Sequence, residues 1–161
     1  MSRFTEMSSN DFDSLEILSC KINPVYYDYL LYIIDHSIIK EKNTSVTFAN
    51  AHIINLAQVD KEFRNYVKEF DIIHSDGIGL YLAMRFLYPK SKKIKRMTGS
   101  DFYKELIPHS IKRNYSFYFL GDTDNTLNRI PLNIPDLKIN GMNNGFGFNT
   151  DLVIDSINKS N

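Results

Sequence analysis

The segment Asp76-Gly77-Ile78-Gly79 joins a carboxylate to two glycines at a point where a predicted strand is followed by a predicted helix. Ligands of open α/β sheets bind beyond the carboxyl ends of the strands, and a carboxylate there can take a proton from an acceptor hydroxyl. Gly77 and Gly79 let the backbone approach a ligand closely, and a helix N-terminus favours its anionic groups. The alternative is that Asp76 only ends the strand and caps the helix.

A second cluster places Arg96 shortly before Thr98-Gly99-Ser100-Asp101, which predicts the start of another helix. An arginine ahead of a helix N-terminus can bind a diphosphate through paired hydrogen bonds and the helix dipole. Arg96, Thr98 and Asp101 are therefore candidate substrate-binding residues. The spacing of Thr98 and Asp101 also fits a capping box, and the lysine-rich stretch before them is typical of a solvated loop.

The segment Asp122-Thr123-Asp124 follows the clearest predicted strand. Paired acids of this form can bind a divalent ion and a nucleotide diphosphate. Asp and Thr are also ordinary turn formers, and Gly121 already begins a turn here. The four histidines have no ligand spacing. The sequence therefore predicts no metal site.

The glycines at 141, 145 and 147 lie in a run that also contains two asparagines. They do not form the dinucleotide-binding fingerprint, because no helix pattern follows at the right place. We interpret this run as a flexible loop that follows a short strand.

Alternating strand and helix signals with short connections predict an α/β fold. We expect a Rossmann-like open sheet, mostly parallel, with helices on both faces. The predicted strands are 15–20, 45–49, 70–73, 115–120 and 137–140. The predicted helices are approximately 24–39, 51–58, 61–69, 79–87, 98–113, 126–130 and 150–157. We expect a polar N-terminal segment over residues 1–14 and a single domain over residues 15–161.

The composition is that of a soluble globular protein, with 43% hydrophobic and 24% charged residues among 161. Lys+Arg and Asp+Glu are equal at 19 each, so no overall field attracts nucleic acid. Cys20 is the single cysteine, which excludes an internal disulfide. No signal peptide and no apolar run of roughly 20 residues is present, so we expect a cytoplasmic protein.

The blocks of this chain together resemble the WecG/TagA/CpsF family of bacterial glycosyltransferases, from about Leu15 onward. No single block is specific, but their order and spacing are. The blocks are Asn50-Ala51-His52-Ile53-Ile54-Asn55-Leu56-Ala57, Asp60, Phe63-Arg64, Phe70-Asp71-Ile72-Ile73-His74-Ser75-Asp76-Gly77-Ile78-Gly79, Arg96-Met97-Thr98-Gly99-Ser100-Asp101, Phe119-Leu120-Gly121 and Asn144-Gly145-Phe146.

The resemblance implies an inverting, metal-independent transferase that moves an amino sugar from a UDP-sugar to a polyprenyl-diphosphate-linked sugar. No cofactor is expected, and the enzyme would work at the inner face of the cytoplasmic membrane. By the same resemblance Asp76 is the general base, Arg96 binds the diphosphate, and Asn50 matches an active-site asparagine. Thr47 and Gly121 complete the candidate substrate-binding residues.

Three features depart from the family pattern. The threonine of the family's Thr-x-Asn motif falls at Phe48, with Thr47 one residue away, and one step along a strand reverses the side-chain face. The loop after Gly121 is acidic. The family continues past the position of Asn161 into another strand, a Pro-Lys-Gln-Glu-like motif and a membrane-contacting appendage. We therefore expect an unpaired sheet edge and apolar surface to be exposed, and either self-association, for instance as a homo-oligomer, or marginal stability.

Two alternatives to the transferase remain open. One is a catalytically inactive paralogue that acts at most as a nucleotide-binding or interaction module. The other is an unrelated nucleotide-binding α/β module, supported only by analogy of fold.

Overall fold

The computed structural model describes residues 14–90 and 94–160. Strands and helices alternate along most of this length, which confirms the predicted α/β class. In chain order the elements are β1 (Leu15–Ile17), β2 (Cys20–Ile22), α1 (Tyr27–Ile39), β3 (Val46–Ala49), α2 (Ala51–Val59), α3 (Lys61–Lys68), β4 (Ile72–Ser75), α4 (Gly77–Leu87), α5 (Gly99–Arg113), β5 (Ser116–Leu120), α6 (Asp124–Asn133), β6 (Lys138–Asn143) and α7 (Thr150–Lys159).

Two predicted features fall partly on residues outside this description. The N-terminal segment over residues 1–14 lies outside the described residues except for Ser14. Lys92 and Lys93, in the lysine-rich stretch before Thr98, also lie outside them. The chain divides into two units, Met1–Tyr103 and Lys104–Asn161. That residues 15–161 form a single domain stays a prediction.

The first unit is built around the parallel pair β3 and β4, with Val46 opposite Ile72 and Ala49 opposite Ser75. Helices α2 and α3 connect the two strands, so this part is a β-α-β unit with a crossover long enough for parallel pairing. The two strands therefore end at the same edge of the sheet.

The first predicted strand, residues 15–20, is a hairpin rather than one strand. β1 and β2 pair antiparallel, with Ile17 opposite Cys20. Leu18 and Ser19 form the turn with positive φ angles of 46° and 65°. The two-residue type I′ hairpin turn requires positive φ at both positions and usually carries Asn or Gly. Because Leu18 and Ser19 are neither, the sequence did not predict this turn.

The core of the first unit lies between the hairpin, the β3–β4 pair and helices α2 to α4. Cys20, Ile22, Ala49, Ala57 and Met84 are completely buried in it. Cys20 packs as a small apolar side chain, and burial raises the pKa of its thiol.

The second unit contains the parallel pair β5 and β6, connected by α6. Helix α6 is longer than predicted and passes through Pro131, which was expected to end it. Thr123 caps α6 by accepting a hydrogen bond from Thr126 N–H. The interior of a helix tolerates a proline at a local cost, and here the capped first turn and buried Leu127 hold the helix in place.

The glycine-rich run begins inside a strand, since β6 extends to Asn143 and not only to residue 140. Gly141 lies within β6, directly beneath the ring of Tyr118. Gly145 N–H donates to the carbonyl oxygen of Asp122 at 2.9 Å, and a Cβ on Gly145 would lie 2.6 Å from the Cα of Gly121. Gly145 thus permits close backbone packing between the ends of β5 and β6, and the flexibility of the loop that follows stays a prediction.

Candidate active site

The carboxyl edge of the β3–β4 pair, defined by Ala49–Asn50 and Ser75–Asp76, brings two predicted site residues together. The backbone N–H of Asp76 donates to the carbonyl oxygen of Ala49 at 2.8 Å. Asn50 and Asp76 are thus the first residues beyond two neighbouring parallel strands. Each stands at the N-cap position of a helix, α2 for Asn50 and α4 for Asp76.

The carboxylate of Asp76 does not cap its helix. Asp76 has the extended backbone of an N-cap residue, with φ −120° and ψ 136°, but its side chain makes no capping hydrogen bond. Asp60, at the same position of α3, accepts from Phe63 N–H at 2.9 Å. The alternative that Asp76 serves only as a cap is therefore wrong for its side chain. A half-buried carboxylate at a helix N-terminus remains available for a substrate.

The two glycines after Asp76 play different roles. Gly77 has φ +81°, a conformation that favours glycine, and a Cβ there would meet nothing within 4 Å. A Cβ on Gly79 would lie 3.7 Å from the Cβ of Ala51, so the first turns of α2 and α4 run close together. Open space therefore adjoins the carboxylate at Gly77, while Gly79 sets the spacing of two helix N-termini.

Asn50 divides its side chain between two functions. Its Oδ1 accepts a hydrogen bond from Ile53 N–H at 3.1 Å and so caps α2. The Nδ2 amide is the part of this exposed side chain that can donate to a ligand at the carboxyl edge.

The segment that carries Arg96 is anchored on both sides. Lys95 Nζ lies 4.6 Å from the centroid of the Tyr26 ring, a cation–π contact. Ile94 and Met97 are buried, so their side chains fix the segment to the unit. Arg96 itself is exposed between these anchors, which leaves its guanidinium available to an anionic ligand.

Tyr27 is the residue that the sequence analysis missed. Its hydroxyl donates to the carbonyl oxygen of Thr98 and accepts from Thr98 N–H, both at 3.1 Å. Burial is the largest cause that raises the pKa of Tyr27, and the hydrogen bond to Thr98 opposes it. The charges of Asp101 and Asp76 raise the pKa further, while Arg96 lowers it. Tyr27 therefore contacts the second cluster at Thr98 and lies within electrostatic range of Asp76 from the first.

Thr98 and Asp101 form one half of the capping box that was considered as an alternative, because the backbone N–H of Thr98 donates to Tyr27 and not to Asp101. Thr98 Oγ1 accepts from Asp101 N–H at 3.1 Å and donates to Asp101 Oδ2 at 2.9 Å. The two side chains satisfy each other, so a binding role for them stays a prediction. A Cβ on Gly99 would lie 3.3 Å from the Phe48 ring, so glycine lets this helix start close to β3.

Thr47 and Phe48 point to opposite faces of β3. The Phe48 ring lies 5.3 Å from the His74 ring and 5.9 Å from the Phe102 ring, centroid to centroid. Thr47 pairs with Ile73, whose side chain belongs to the core on the other face. Thr47 is thus inside the strand and shares no described contact with the carboxyl edge. Its role in binding stays a prediction.

His74 is a structural residue. It is 1% exposed, and its Nε2 lies 2.8 Å from the carbonyl oxygen of Val25. Its Nδ1 lies 2.7 Å from the carbonyl oxygen of Ser75. Although His74 is two residues from Asp76, its ring is committed to the loop before α1 and has no access to solvent.

Gly121 and the acidic loop belong to the second unit. Gly121 ends β5 with φ +143°. The side chain of Asp122 accepts from Thr123 N–H at 2.6 Å, and this hydrogen bond is the main cause that lowers the pKa of Asp122. The side chains thus act as turn formers here. In residues 14–90 and 94–160 no group of three His, Cys, Asp or Glu side chains could hold a metal ion.

A cavity of about 410 Å³ lies at the other end of the strands in the first unit. It is lined by Tyr29, Tyr32 and Lys42, and by Asp71 at the start of β4. Asp71 and Asp76 flank the same strand, so roughly 17 Å of extended chain separate them. This cavity is therefore not part of the carboxyl edge, in spite of its size.

The arrangement of Asp76, Asn50 and Arg96 can be compared with known proteins. The model of the glycosyl transferase WecG/TagA/CpsF family matches residues 15–161. The chain belongs to this family. It is also 22% identical over 144 residues to the N-acetylglucosaminyldiphosphoundecaprenol N-acetyl-β-D-mannosaminyltransferase of Bacillus subtilis (strain 168). The match covers 87% of this chain and 56% of that relative, so the chain spans little more than half of the relative's length.

No helix within the described part of the chain is both long and apolar enough to span a bilayer.

Proposed function

We propose that this protein transfers an amino sugar from a UDP-sugar to a sugar that is linked through a diphosphate to a polyprenyl lipid. The observation that carries the proposal is the uncapped carboxylate of Asp76 at the carboxyl edge of a family member. The relative's name supports the substrate class, because it names a diphosphoundecaprenol-linked N-acetylglucosamine and an N-acetylmannosaminyl group. The product would serve cell-surface polysaccharide synthesis.

Asp76 is the proposed general base. Its carboxylate takes the proton from the acceptor hydroxyl while that oxygen forms a bond to the anomeric carbon of the donor. The bond between the anomeric carbon and the diphosphate oxygen breaks, and UDP leaves with the electron pair. Attack from the side opposite the leaving group inverts the anomeric configuration. The absence of a capping bond supports this role, since both carboxylate oxygens are left for the acceptor hydroxyl and none is held by the backbone of α4.

Arg96 is the proposed ligand of the donor diphosphate. Charge builds up on the leaving diphosphate as the bond breaks, and a guanidinium can bind two of its oxygens at once. The anchoring of the neighbouring Lys95 and Thr98 on Tyr26 and Tyr27 supports the role, because it limits the movement of Arg96. Asn50 Nδ2 is a candidate donor to a sugar hydroxyl, and Gly77 provides the space beside the base.

The localisation that fits this function is peripheral, on the inner face of the cytoplasmic membrane. The proposed acceptor is lipid-linked, whereas the donor is water-soluble. The protein would have to work where the two meet.

The experiment compares sugar transfer by the 161-residue chain with that of two matched variants, Asp76→Asn and Asp60→Asn. Both residues stand at helix N-cap positions, both variants lose one negative charge, and asparagine retains capping ability at Asp60. The donor is UDP-N-acetylmannosamine or its uronate, and the acceptor is a soluble polyprenyl-diphosphate N-acetylglucosamine analogue. UDP release is measured. We expect Asp76→Asn to lower kcat by about 10²–10⁴-fold and Asp60→Asn to leave it nearly unchanged.

Equal turnover in both variants would overturn the general-base role. Failure of the chain to bind UDP would overturn the transferase and favour a non-catalytic module. Binding of UDP that weakens in Arg96→Ala supports the diphosphate role.

A further inference from the structure

The cavity at the amino ends of β3 and β4 combines an apolar floor with an aromatic wall. Val25, Tyr29 and Ile72 line it and are 2%, 8% and 8% exposed. The rings of Tyr29, Tyr32 and His36 follow one another along α1, with centroids 5.8 and 5.9 Å apart. The volume of about 410 Å³ lies within the range of small-molecule sites. We call this space the amino-end cavity, and its surface suits the apolar faces of a small ring.

Three polar side chains that line the amino-end cavity retain hydrogen-bonding capacity. Asn23 Oδ1 accepts from Ile73 N–H at 2.9 Å, which leaves the two hydrogens of its Nδ2 group. Asp71 Oδ2 accepts from the N–H and the hydroxyl of Ser45, which leaves Oδ1 as an acceptor. Lys42 is exposed, and its ammonium group can only donate. These three side chains therefore offer two donors and one acceptor.

The strands fix the order in which these groups lie. Asn23 exchanges hydrogen bonds with Ile73 along one side of β4, and β3 pairs with β4 along the other side. Lys42 lies on the β3 side, since it precedes Ser45 by three residues and its charge acts on Asp71. Asp71 directly precedes β4, the strand between the two. The acceptor therefore stands between the two donors.

A donor–acceptor–donor order matches the hydrogen-bonding edge of uracil. That edge presents a carbonyl, the N3–H group and a second carbonyl, and proteins read such edges by hydrogen bonds while apolar or aromatic side chains contact the ring faces. N3–H can donate to Asp71 Oδ1, and the carbonyls can accept from Asn23 and Lys42. Cytosine has an acceptor at N3. The hydrogen bonds from Ser45 hold the pKa of Asp71 below its usual value, so this acceptor would face a charged carboxylate.

We propose that the amino-end cavity binds the uracil ring of a uridine nucleoside, with Asn23, Asp71 and Lys42 as its hydrogen-bonding partners. The site is separate from the carboxyl edge, because Asp71 and Asp76 flank β4 at its opposite ends. Binding of uridine there does not require sugar transfer. This proposal and the proposed function can therefore fail separately.

The first test compares three ligands on the wild-type chain by isothermal titration calorimetry. The probes are uridine, cytidine and N3-methyluridine, in which a methyl group replaces the hydrogen that Asp71 would accept. We expect uridine to bind. We expect the other two to bind about tenfold more weakly or less, since neither has a group at N3 that can donate to the carboxylate.

The second test assigns the binding to the amino-end cavity. The test variant is Lys42→Met and the control is Lys40→Met. Both lysines are exposed and both variants lose one positive charge, but Lys42 lines the cavity and Lys40, which ends α1, does not. We expect Lys42→Met to raise the Kd for uridine about tenfold, and Lys40→Met to change it by less than about twofold.

Three results would overturn the proposal. The first is an absence of uridine binding by the wild-type chain, and the second is equal binding of N3-methyluridine. The third is uridine binding that Lys42→Met leaves unchanged, which would place the ring elsewhere, for example at the carboxyl edge. Sugar transfer to the soluble acceptor by Lys42→Met, with uridine binding weakened, supports a site that is separate from the carboxyl edge.

Discussion

The phenol of Tyr27 and the backbone of Thr98 hydrogen-bond in both directions, each at 3.1 Å. This pair joins the first residue of α1 to the segment that carries Arg96, across 71 positions of sequence. The charge of Asp76 raises the pKa of this phenol and that of Arg96 lowers it, after the larger effects of burial, the Thr98 hydrogen bond and Asp101.

Removal of the Tyr27 hydroxyl tests that link. Tyr27→Phe leaves the N–H of Thr98 without its partner, whereas the Thr98 carbonyl keeps its hydrogen bond from Phe102 N–H at 3.0 Å. We expect a loss of about 1–2 kcal/mol in the free energy of unfolding. We also expect a higher KM for the UDP-sugar, since the Arg96 segment loses one anchor. Urea unfolding and initial rates are the measurements. The matched control is Tyr66→Phe, whose exposed hydroxyl bonds only Glu62 one turn away. A Tyr27→Phe protein as stable as this control would contradict the anchoring role.

Because the Asp76 side chain does not cap its helix, its removal should cost less free energy of unfolding than removal of the Asp60 side chain, which does. Asp60→Ala removes a bond to Phe63 N–H and should cost about 1 kcal/mol in the free energy of unfolding. Asp76→Ala removes no such bond, and we expect a cost of about 0.5 kcal/mol at most, from the lost interaction with the helix dipole. Thermal and urea unfolding measure both. An equal or larger cost for Asp76→Ala would show that its carboxylate supports the fold.

Substitution by alanine should lower the free energy of unfolding at Gly77 and raise it at Gly79. Gly77→Ala forces a side chain into φ +81°, and we expect a loss of about 1–2 kcal/mol. Gly79→Ala adds a Cβ at an ordinary contact distance within a helix, so we expect a gain of up to about 1 kcal/mol. Urea unfolding of the two variants decides this. If Gly79→Ala is stabilised but binds the donor more weakly, glycine at this position serves the ligand rather than the fold.

Asp71, just before β4, accepts hydrogen bonds from Ser45, just before β3, and we expect this link to be lost in acid. Hydrogen bonds from the backbone N–H and hydroxyl of Ser45 hold the pKa of Asp71 below its usual value of 3.8. The unfolded chain then binds a proton more readily than the folded one as the pH falls below about 5. The stabilisation is therefore complete above the unfolded pKa and is lost as the pH falls through the folded pKa.

The measurement is the free energy of unfolding of the wild-type chain and of Asp71→Asn across this acidic range. We expect a shallower decline in the variant, by an amount that solvent exposure of Asp71 keeps small. Added salt should change little, because hydrogen bonds rather than an ion pair are the main cause. Parallel curves for the two proteins would contradict the prediction.

Local patterns in the sequence predicted the features that depend on nearby residues. The change from strand to helix at Asp76-Gly77 follows from an apolar run and a glycine, and the hydrogen bonds between Thr98 and Asp101 follow from a spacing of three. The turn character of Asp122 and Thr123 is local in the same way. These features were correct because their partners lie within a few residues.

The tertiary structure decided everything that depends on distant partners. Leu18 and Ser19 adopt a turn that their residue types do not favour, since the pairing of β1 with β2 and burial of Ile17 and Cys20 compensate for it. The Gly121–Gly145 contact arises because the β5–β6 register brings two backbones together. No periodicity in the sequence encodes such contacts.

The sequence by itself thus determined the α/β class, the family-like order of blocks and the position of a carboxylate at a strand end. Only the tertiary structure decided that the Asp76 side chain leaves its helix uncapped, that the Tyr27 hydroxyl bonds to Thr98 near Arg96, and that Ile78, Leu82 and Phe86 of α4 stay outside the core. The physical reason is that propensity and spacing act over a few residues. The use made of a side chain depends on which distant groups the packed chain brings within hydrogen-bonding or van der Waals distance.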